Sequence, residues 1–573
     1  MTSQLSLKSV LLALSAGILI SCGGGESSSS TPPPATVTPP PAPSFSSDLS
    51  SKAEASAFLR MAGLGADDAQ ITAVTGINAA SWIKAEMDKP ATLTLDTMLA
   101  RFPTRQDTNR NHSDYIWKNL LDADDQLRQR MFFALSQIFV ISDLSFSDRG
   151  FTTAYYTDIL TRNAFGNYRQ LLEEITYSPA MAAYLTYYRN RKGDPRTGRM
   201  PDENYAREIL QLFSIGLVEL NMDGTPKLDA NGELIESYDN EDVIGLARVF
   251  TGLSADRESF WASGDDTYRY RALKAFDSHH SELEKTFLGT TIPPNTSAET
   301  TIQQALDVIA EHPNVAPFIS KQLIQRFTAS SPTPAYVERV ARVFEAGRFE
   351  AENGEVFGTG TRGDLGATLA AILLDPSQHD DIQDANEGKV REPVLKFVHF
   401  MRAFSATPYD VVADSEGALN NTSDPISRLG QHPLRSPSVF NFYRPGYVAP
   451  NSETGAEGLT APELQIVNET NSLGFVNFMS EYVMRRSNST EPDSQLKPNY
   501  ETEIALADDP QGLVDHLDEK LTGGQMSDET KTEIVDAIST INIDSDEIAA
   551  DQKRRVQLAV LMTLGSGAFA AQN

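Results

Sequence analysis

The chain is poorest in cysteine: Cys22 is the only one in 573 residues, beside three tryptophans and eight histidines. A single thiol excludes an intrachain disulfide framework and thiolate metal clusters. Positive charge is also in deficit, with 48 Lys and Arg against 78 Asp and Glu, a net charge of −30. That balance argues against nucleic acid, whose recognition needs clustered Lys and Arg. It also argues against docking on anionic lipid or acidic polysaccharide through a broad basic patch. Beyond residue 20 no stretch is apolar and long enough to span a membrane. The sequence has no Gly-x-Ser-x-Gly elbow, no Walker A loop and no His-Glu-x-x-His, and its Gly-x-Gly-x-x-Gly at Gly358–Gly363 (GTGTRG) stands in a chain patterned as helices, without the strand–helix–strand unit that dinucleotide binding needs. Serine hydrolases of the α/β type, nucleotide enzymes and dinucleotide oxidoreductases are therefore poorly supported.

What is present begins with an export signal. Lys8 precedes the apolar run Val10–Ile20, which is shorter than the roughly 20 residues a membrane span needs and fits a signal-peptide core. Leu19-Ile20-Ser21-Cys22 resembles the lipobox of bacterial lipoproteins. The resemblance implies cleavage after residue 21 and lipidation of Cys22, each buried CH₂ of the acyl chains contributing about 0.8 kcal/mol to the anchor. The competing reading is a plain secretory signal with an incidental cysteine. Gly23, in place of the Asp that tends to signal retention at the inner membrane, favours the outer membrane. Residues 22–48 are rich in Gly, Ser and Pro, a composition that builds a tether and not a core. With Cys22 lipidated, the exported body has no cysteine nucleophile.

The remaining residues predict a mainly α, large multihelical domain: a helical core over 49–484 and a C-terminal helical extension of the same domain over 485–573. Apolar spacing predicts helices at 53–61, 78–88, 125–141, 155–164, 167–176, 180–188, 203–217 and 240–251, then at 300–311, 315–327, 334–346, 364–374 and 390–404. Asp223-Gly224 and Asn231-Gly232 mark a small β-hairpin excursion near 218–238. Residues 405–460 read as a long loop and 485–500 as a polar linker, with helices again over 510–541 and 553–569.

Several of these segments, in order, resemble motifs of one family. They include Asp125–Asp143 (DQLRQRMFFALSQIFVISD), Asp202–Leu220 (DENYAREILQLFSIGLVEL), Tyr238–Leu253 (YDNEDVIGLARVFTGL), Lys285–Gly289 (KTFLG), Gly388–Pro393 (GKVREP) and Ser436–Pro445 (SPSVFNFYRP). The chain is similar to the DUF1800 family over roughly residues 51–573. That resemblance implies an exported helical body of unestablished activity. It also implies a neighbour from the sulfatase-like DUF1501 family as partner, and it carries over no catalytic residue. Where family members often have His-Asp or His-His-Asp before Lys-x-x-Leu-Gly, this chain has His279-His280-Ser281-Glu282, so any role of that Asp passes to Glu282 or Glu284.

Three groups of residues can carry chemistry. On a helix, Asn204, Glu208 and Gln211 form one polar stripe, and Glu203 pairs with Arg207 four residues on; Glu208 is the candidate base, with Glu203, Asn204 and Arg207 around it. The competing role is a hydrogen-bonded clamp between helices. His279, His280 and Glu282 are candidate ligands of a divalent metal if a loop lets them converge, against a simple structural pair. Lys389 and Arg391 are candidates for an anionic group, against pairing with the acidic surface. The aromatics Phe440, Phe442 and Tyr443 offer a sugar-binding surface or a plug over the core. The leading expectation is a binding or accessory protein, exported and lipid-anchored, serving extracellular polymer or an exported partner. Its rival is an extracellular, metal-assisted hydrolase using Glu203, Glu208, His279 and His280.

Overall fold

The structure is a computed structural model that describes residues 47–102, 109–145, 149–262, 266–378, 388–409, 419, 421–490, 496–543 and 546–572. The expected signal peptide, Cys22 and nearly all of the expected tether lie outside the described residues. Among the described residues no helix is long and apolar enough to cross a membrane.

The helical pattern in the sequence becomes helix where apolar spacing and end signals agree. Pro334–Ala346 shows why: Thr333 caps it by accepting from Tyr336 N–H, Pro334 supplies a preset φ at the first turn, and left-handed Gly347 closes it. Its apolar stripe of Tyr336, Val337, Val340, Ala341 and Phe344 is buried against Val315–Phe327 and Leu365–Leu373. The main hydrophobic core runs from Leu49 to Phe569, beside a small second cluster of Met98, Tyr115, Phe151 and Ala154. The fold is mainly α, with strands only in two-stranded antiparallel pairs among the described residues. The excursion at 218–238 is a small β-arm held by the bridges Val218↔Glu236, Leu220↔Pro226 and Leu228↔Leu234. Its turns are fixed by Asp223, accepting from Thr225 N–H, and by Asp229, accepting from Asn231 and Glu233 N–H.

Two expected helices are shorter than their apolar runs. The first, Gln126–Ser136, stops before Gln137, and Ile138–Ile141 continue as buried non-helical chain. The second, Asn204–Gln211, stops because the carbonyl of Leu210 accepts from both Ile215 and Gly216 N–H, with Gly216 at φ +73°. Helices that apolar spacing did not signal include Asn109–Asp122 and Glu469–Ser480.

The two ends of the described body are tied together. Arg60 donates to the carbonyl of Ala568 and to Gln525 Oε1, and Ser56 Oγ donates to the carbonyl of Lys520. The short strand Lys389–Val390 pairs with Ala571–Gln572. These ties place the C-terminal residues behind the segment that begins the helix Pro393–Ala403.

Candidate functional site

The two shortened helices and the loop 439–445 meet around a groove of about 280 Å³. Its walls come from Gln137 and Ile138, from Gln211, Leu212, Gly216 and Leu217, from Phe318 on the helix Val315–Phe327, and from Val439, Phe440 and Pro445. Gly216 is required here twice over: its φ is positive, and a Cβ would lie 2.8 Å from the Phe318 ring. The mouth is apolar and exposed, with Leu217 57% and Phe440 38% accessible. The guanidinium of Arg444 lies 4.9 Å from the Phe440 ring centre.

The floor is polar and made of donors. Gln322 and Arg326 line the groove and are buried. Arg326 spends its terminal nitrogens on the carbonyls of Gln322 (2.9 Å) and Gln137 (3.1 Å). Its Nε–H and the amide nitrogen of Gln322 are buried without a partner. Beneath them Glu392, wholly buried, accepts from the amides of Gln137 and Gln431, and Tyr443 Oη donates to Gln137 Oε1 at 3.2 Å. Burial, with the charges of Glu392 and Glu463, holds the Tyr443 phenol well above its ordinary pKa, so it stays protonated. Burial pulls Arg326 down from its usual value. No carboxylate or histidine belongs to the described lining, whose exposed surface is mostly apolar.

The residues expected from sequence are distributed elsewhere. On Asn204–Gln211 the polar stripe runs from exposed Asn204 through buried Glu208 to Gln211, and only Gln211 reaches the groove. Asp202 accepts from Asn204 N–H and fixes the start of this helix, while Tyr205 stacks on Tyr187 at 4.1 Å. Glu203 and Arg207 form the expected pair at 3.5 Å, on a surface where it is worth about 0–1 kcal/mol. Burial raises the pKa of Glu208, and its Oε2 is without a partner.

His279, His280 and Glu282 are not brought together as a ligand set. The described residues hold one trio of metal-capable side chains with ligand atoms within 4.8 Å of one another, Asp68, Glu503 and His516. There the Lys520 ammonium already bridges Asp68 and Glu503 at 2.8 and 2.7 Å, supplying the positive charge. His279 lies flat on the Phe260 ring at 3.9 Å, and Glu282 is held by Lys192. His280 donates from Nδ1 to the carbonyl of Thr251 at 2.9 Å, which leaves the lone pair of the neutral ring on Nε2. Burial pushes His280 down to about 4, and Nε2 and the neighbouring Lys285 ammonium are both buried without partners.

Lys389 and Arg391 face inward. Lys389 is ion-paired with Glu463, both almost wholly inaccessible, and also donates to the carbonyl of Gln325 at 2.7 Å. Arg391 donates to His399 Nδ1 at 3.0 Å and to the carbonyl of Phe569, and stacks on the Phe569 ring. Of the aromatic trio, Phe440 is at the groove mouth, Tyr443 is buried beneath it, and Phe442 lines a neighbouring water-sized cavity of about 10 Å³. Sequence reasoning missed Gln137, just past the end of Gln126–Ser136, and Gln322 and Arg326 on Val315–Phe327, because their apolar neighbours dominate the pattern.

A family model described as a protein of unknown function, DUF1800, matches residues 57–571. No curated protein and no solved structure matches the chain.

Proposed function

From the premise that the chain belongs to the DUF1800 family, we propose that it is a binding protein whose groove takes an apolar ligand through a carboxylate or carbonyl oxygen. The observation that carries this reading is the pair of buried donors, Gln322 Nε2 and Arg326 Nε, left without partners in groove-lining side chains. A buried donor left unmade costs about 1–3 kcal/mol. Both atoms are covered, so a ligand oxygen recovers that cost by drawing the two side chains toward the groove, while Phe440, Leu217 and Phe318 receive the apolar body. The groove's volume is at the small end of ligand pockets, which run from roughly 300 Å³ upward, so a short-chain amphiphile is a suitable probe.

The test is calorimetric titration with decanoate, and with decyltrimethylammonium, which has the same tail and no acceptor oxygen. Decanoate is expected to bind at one site, and Gln322→Met and Phe440→Ala each to weaken it about tenfold, the equivalent of 1.4 kcal/mol. Equal affinity for the two amphiphiles, or no change in either variant, would remove the groove from the proposal. Stoichiometric transition metal in the purified chain, lost in His280→Ala, would overturn the binding-only reading in favour of a metal-assisted hydrolase.

The proposal places this binding protein outside the cytoplasm as a lipoprotein held through Cys22, where an exported partner or extracellular polymer is its setting. Cys22→Ser is expected to move the chain from the membrane fraction to the soluble one. Retention in the membrane fraction would refute the anchor and leave the groove untouched.

A further inference from the structure

The loop that follows the helix Pro179–Tyr184 concentrates charge of the sign the chain lacks. Between Arg189 and Arg199 the sequence holds five cations, Arg189, Arg191, Lys192, Arg196 and Arg199, and one acid, Asp194. This loop packs beside the one tryptophan that is more than half exposed, Trp261 at 52%. The guanidinium carbons of Arg189 and Arg191 lie 5.3 and 5.2 Å from its ring centre. His279 meets the Trp261 ring edge-on at 5.8 Å and is itself stacked on Phe260.

We propose that Trp261, Arg191, Arg189 and His279 form a binding shelf for an acidic polysaccharide, a sugar polymer bearing carboxylate or sulfate groups. The aromatic face suits the C–H face of a sugar ring, whose partial positive charge meets the negative face of the indole. The Arg191 guanidinium, lying over the same ring, then meets the acid group through paired N–H donors. Arg191 is the residue free to do so: its contact with Trp261 is its only polar or ring contact among the described residues. The other cations are committed, Lys192 to Glu282, Arg196 loosely to Asp194, Arg199 to the carbonyl of Lys192, and Arg189 to Ser254 Oγ and the carbonyl of Ala262. The local field is nevertheless positive, because Arg191, Lys192 and Arg199 add to burial in lowering the pKa of His279.

The shelf is built in advance of any ligand. Thr186 and Arg189 both have left-handed backbones, at φ +64° and +63°, a conformation side chains with a Cβ rarely adopt. The strain is held by Arg189 N–H on the carbonyl of Leu253, Gly252 N–H on that of Asn190, and Lys192 N–H on that of His279, each at 2.9 Å. These bonds lock the arginines against the segment that carries Trp261. The ordering that a ligand would otherwise impose is already in place, which favours affinity. A chain with a net charge of −30 repels polyanions in general, so this shelf selects the acidic polymer by pairing local charge with a stacking face.

The test uses the full chain with dextran sulfate, a polyuronate, neutral dextran and polyglutamate, following both affinity and tryptophan fluorescence. At least one acidic polysaccharide is expected to bind and to shift the indole emission, with the responding polymer showing whether sulfate or carboxylate is read. Neutral dextran and polyglutamate are expected to bind at least about tenfold more weakly, as are the Trp261→Ala and Arg191→Glu variants with the acidic polymer. Arg191→Lys, which keeps the charge and loses the fork, is expected to fall between. Binding unchanged by Arg191→Glu, polyglutamate binding as well as the polysaccharides, or no binding of either acidic polymer would each overturn the proposal. Far-ultraviolet circular dichroism on each variant separates a lost shelf from a lost fold.

Discussion

Replacing Lys389 with methionine is expected to cost roughly 3–5 kcal/mol of stability, the loss typical when one half of a buried ion pair is removed. Lys389 and Glu463 are 1% and 0% exposed at the side chain, so neither can turn to solvent in exchange. Without the ammonium, Glu463 keeps only the hydroxyl of Ser330 at 2.8 Å, and the carbonyl of Gln325 loses its donor. Met matches the length of the lysine stem, so the lost charge and not a cavity dominates the effect. Glu463→Gln is expected to destabilise by a comparable amount, since it strands the ammonium instead. Lys389→Met/Glu463→Leu is expected to recover much of the loss, because two well-packed apolar groups replace the pair with no buried charge left over. The urea midpoints of the three variants measure this directly. A loss below about 1 kcal/mol in Lys389→Met would mean that the pair is solvated, and would return Lys389 to the anion-binding role its sequence context suggested.

Lys389 also shows how far the sequence can be read. Its neighbourhood, Gly388–Pro393, is dense in charge and looks like surface or ligand-binding chain, yet Lys389, Arg391 and Glu392 are all buried. Sequence shows charge; only the fold shows that Glu463 arrives opposite Lys389 and that the C-terminal strand pairs with Lys389–Val390. The same reason hid the helix Asn109–Asp122. His112, Ser113 and Asp114 are buried in it, and Ser113 and Asp114 are paired with His432 and Tyr409. Polar residues that face inward break the apolar period a sequence reader depends on. Glu469–Ser480 was hidden by its Asn, Ser and Gly content; Gly474 is needed because a Cβ there would meet the carbonyl of Pro425 at 2.3 Å. Where burial is apolar the pattern transfers intact, and Val315–Phe327 and Pro334–Ala346 begin and end where their spacing puts them.

The candidate sites divide in the same way. Phe440 and Gln211 were visible as members of an aromatic run and a polar stripe, but the groove exists because two helices end early. The first end is held by a tertiary partner, Arg326 on the carbonyl of Gln137, and the second by the turn on the Leu210 carbonyl, whose Gly216 fits under Phe318. The shelf around Trp261 has a legible half, the cluster of cations after Tyr188, and a hidden half, the indole some seventy positions later. His279 was legible as a chemically interesting residue, but its partners are the Phe260 and Trp261 rings and the Ser278 hydroxyl. A cation run within an acidic chain is the sequence signal that merits the same weight as a histidine pair.

Gly65→Ala is the second substitution expected to have a large effect, and the reason is one of space. Gly65 has φ +92°, where a side chain is strained whatever surrounds it. A Cβ there would lie 2.2 Å from His399 Cδ2 and 2.8 Å from His399 Cα. The ring could swing away, but the Cα belongs to the buried helix Pro393–Ala403 and cannot. Overpacking of this kind costs roughly 1–3 kcal/mol, and the strained backbone conformation adds about 1–2 kcal/mol. The displaced ring carries a further consequence. His399 is neutral, its pKa held far down by burial and by Arg391 and Arg60, and its Nδ1 accepts from Arg391. Moving the ring leaves that guanidinium, buried beside Arg60 and Arg130, with only the carbonyl of Phe569. The alanine is therefore expected to loosen the tie between the N-terminal helix and the C-terminal strand before the remainder of the core. Hydrogen exchange of Arg391 N–H, which donates to the carbonyl of Ala570, is the local measurement. Exchange there should accelerate more than in Pro334–Ala346; equal acceleration in both places would show global destabilisation instead. In the double variant with His399→Ala the ring clash is gone while the helix backbone still crowds the new methyl group, so the penalty is expected to shrink without vanishing.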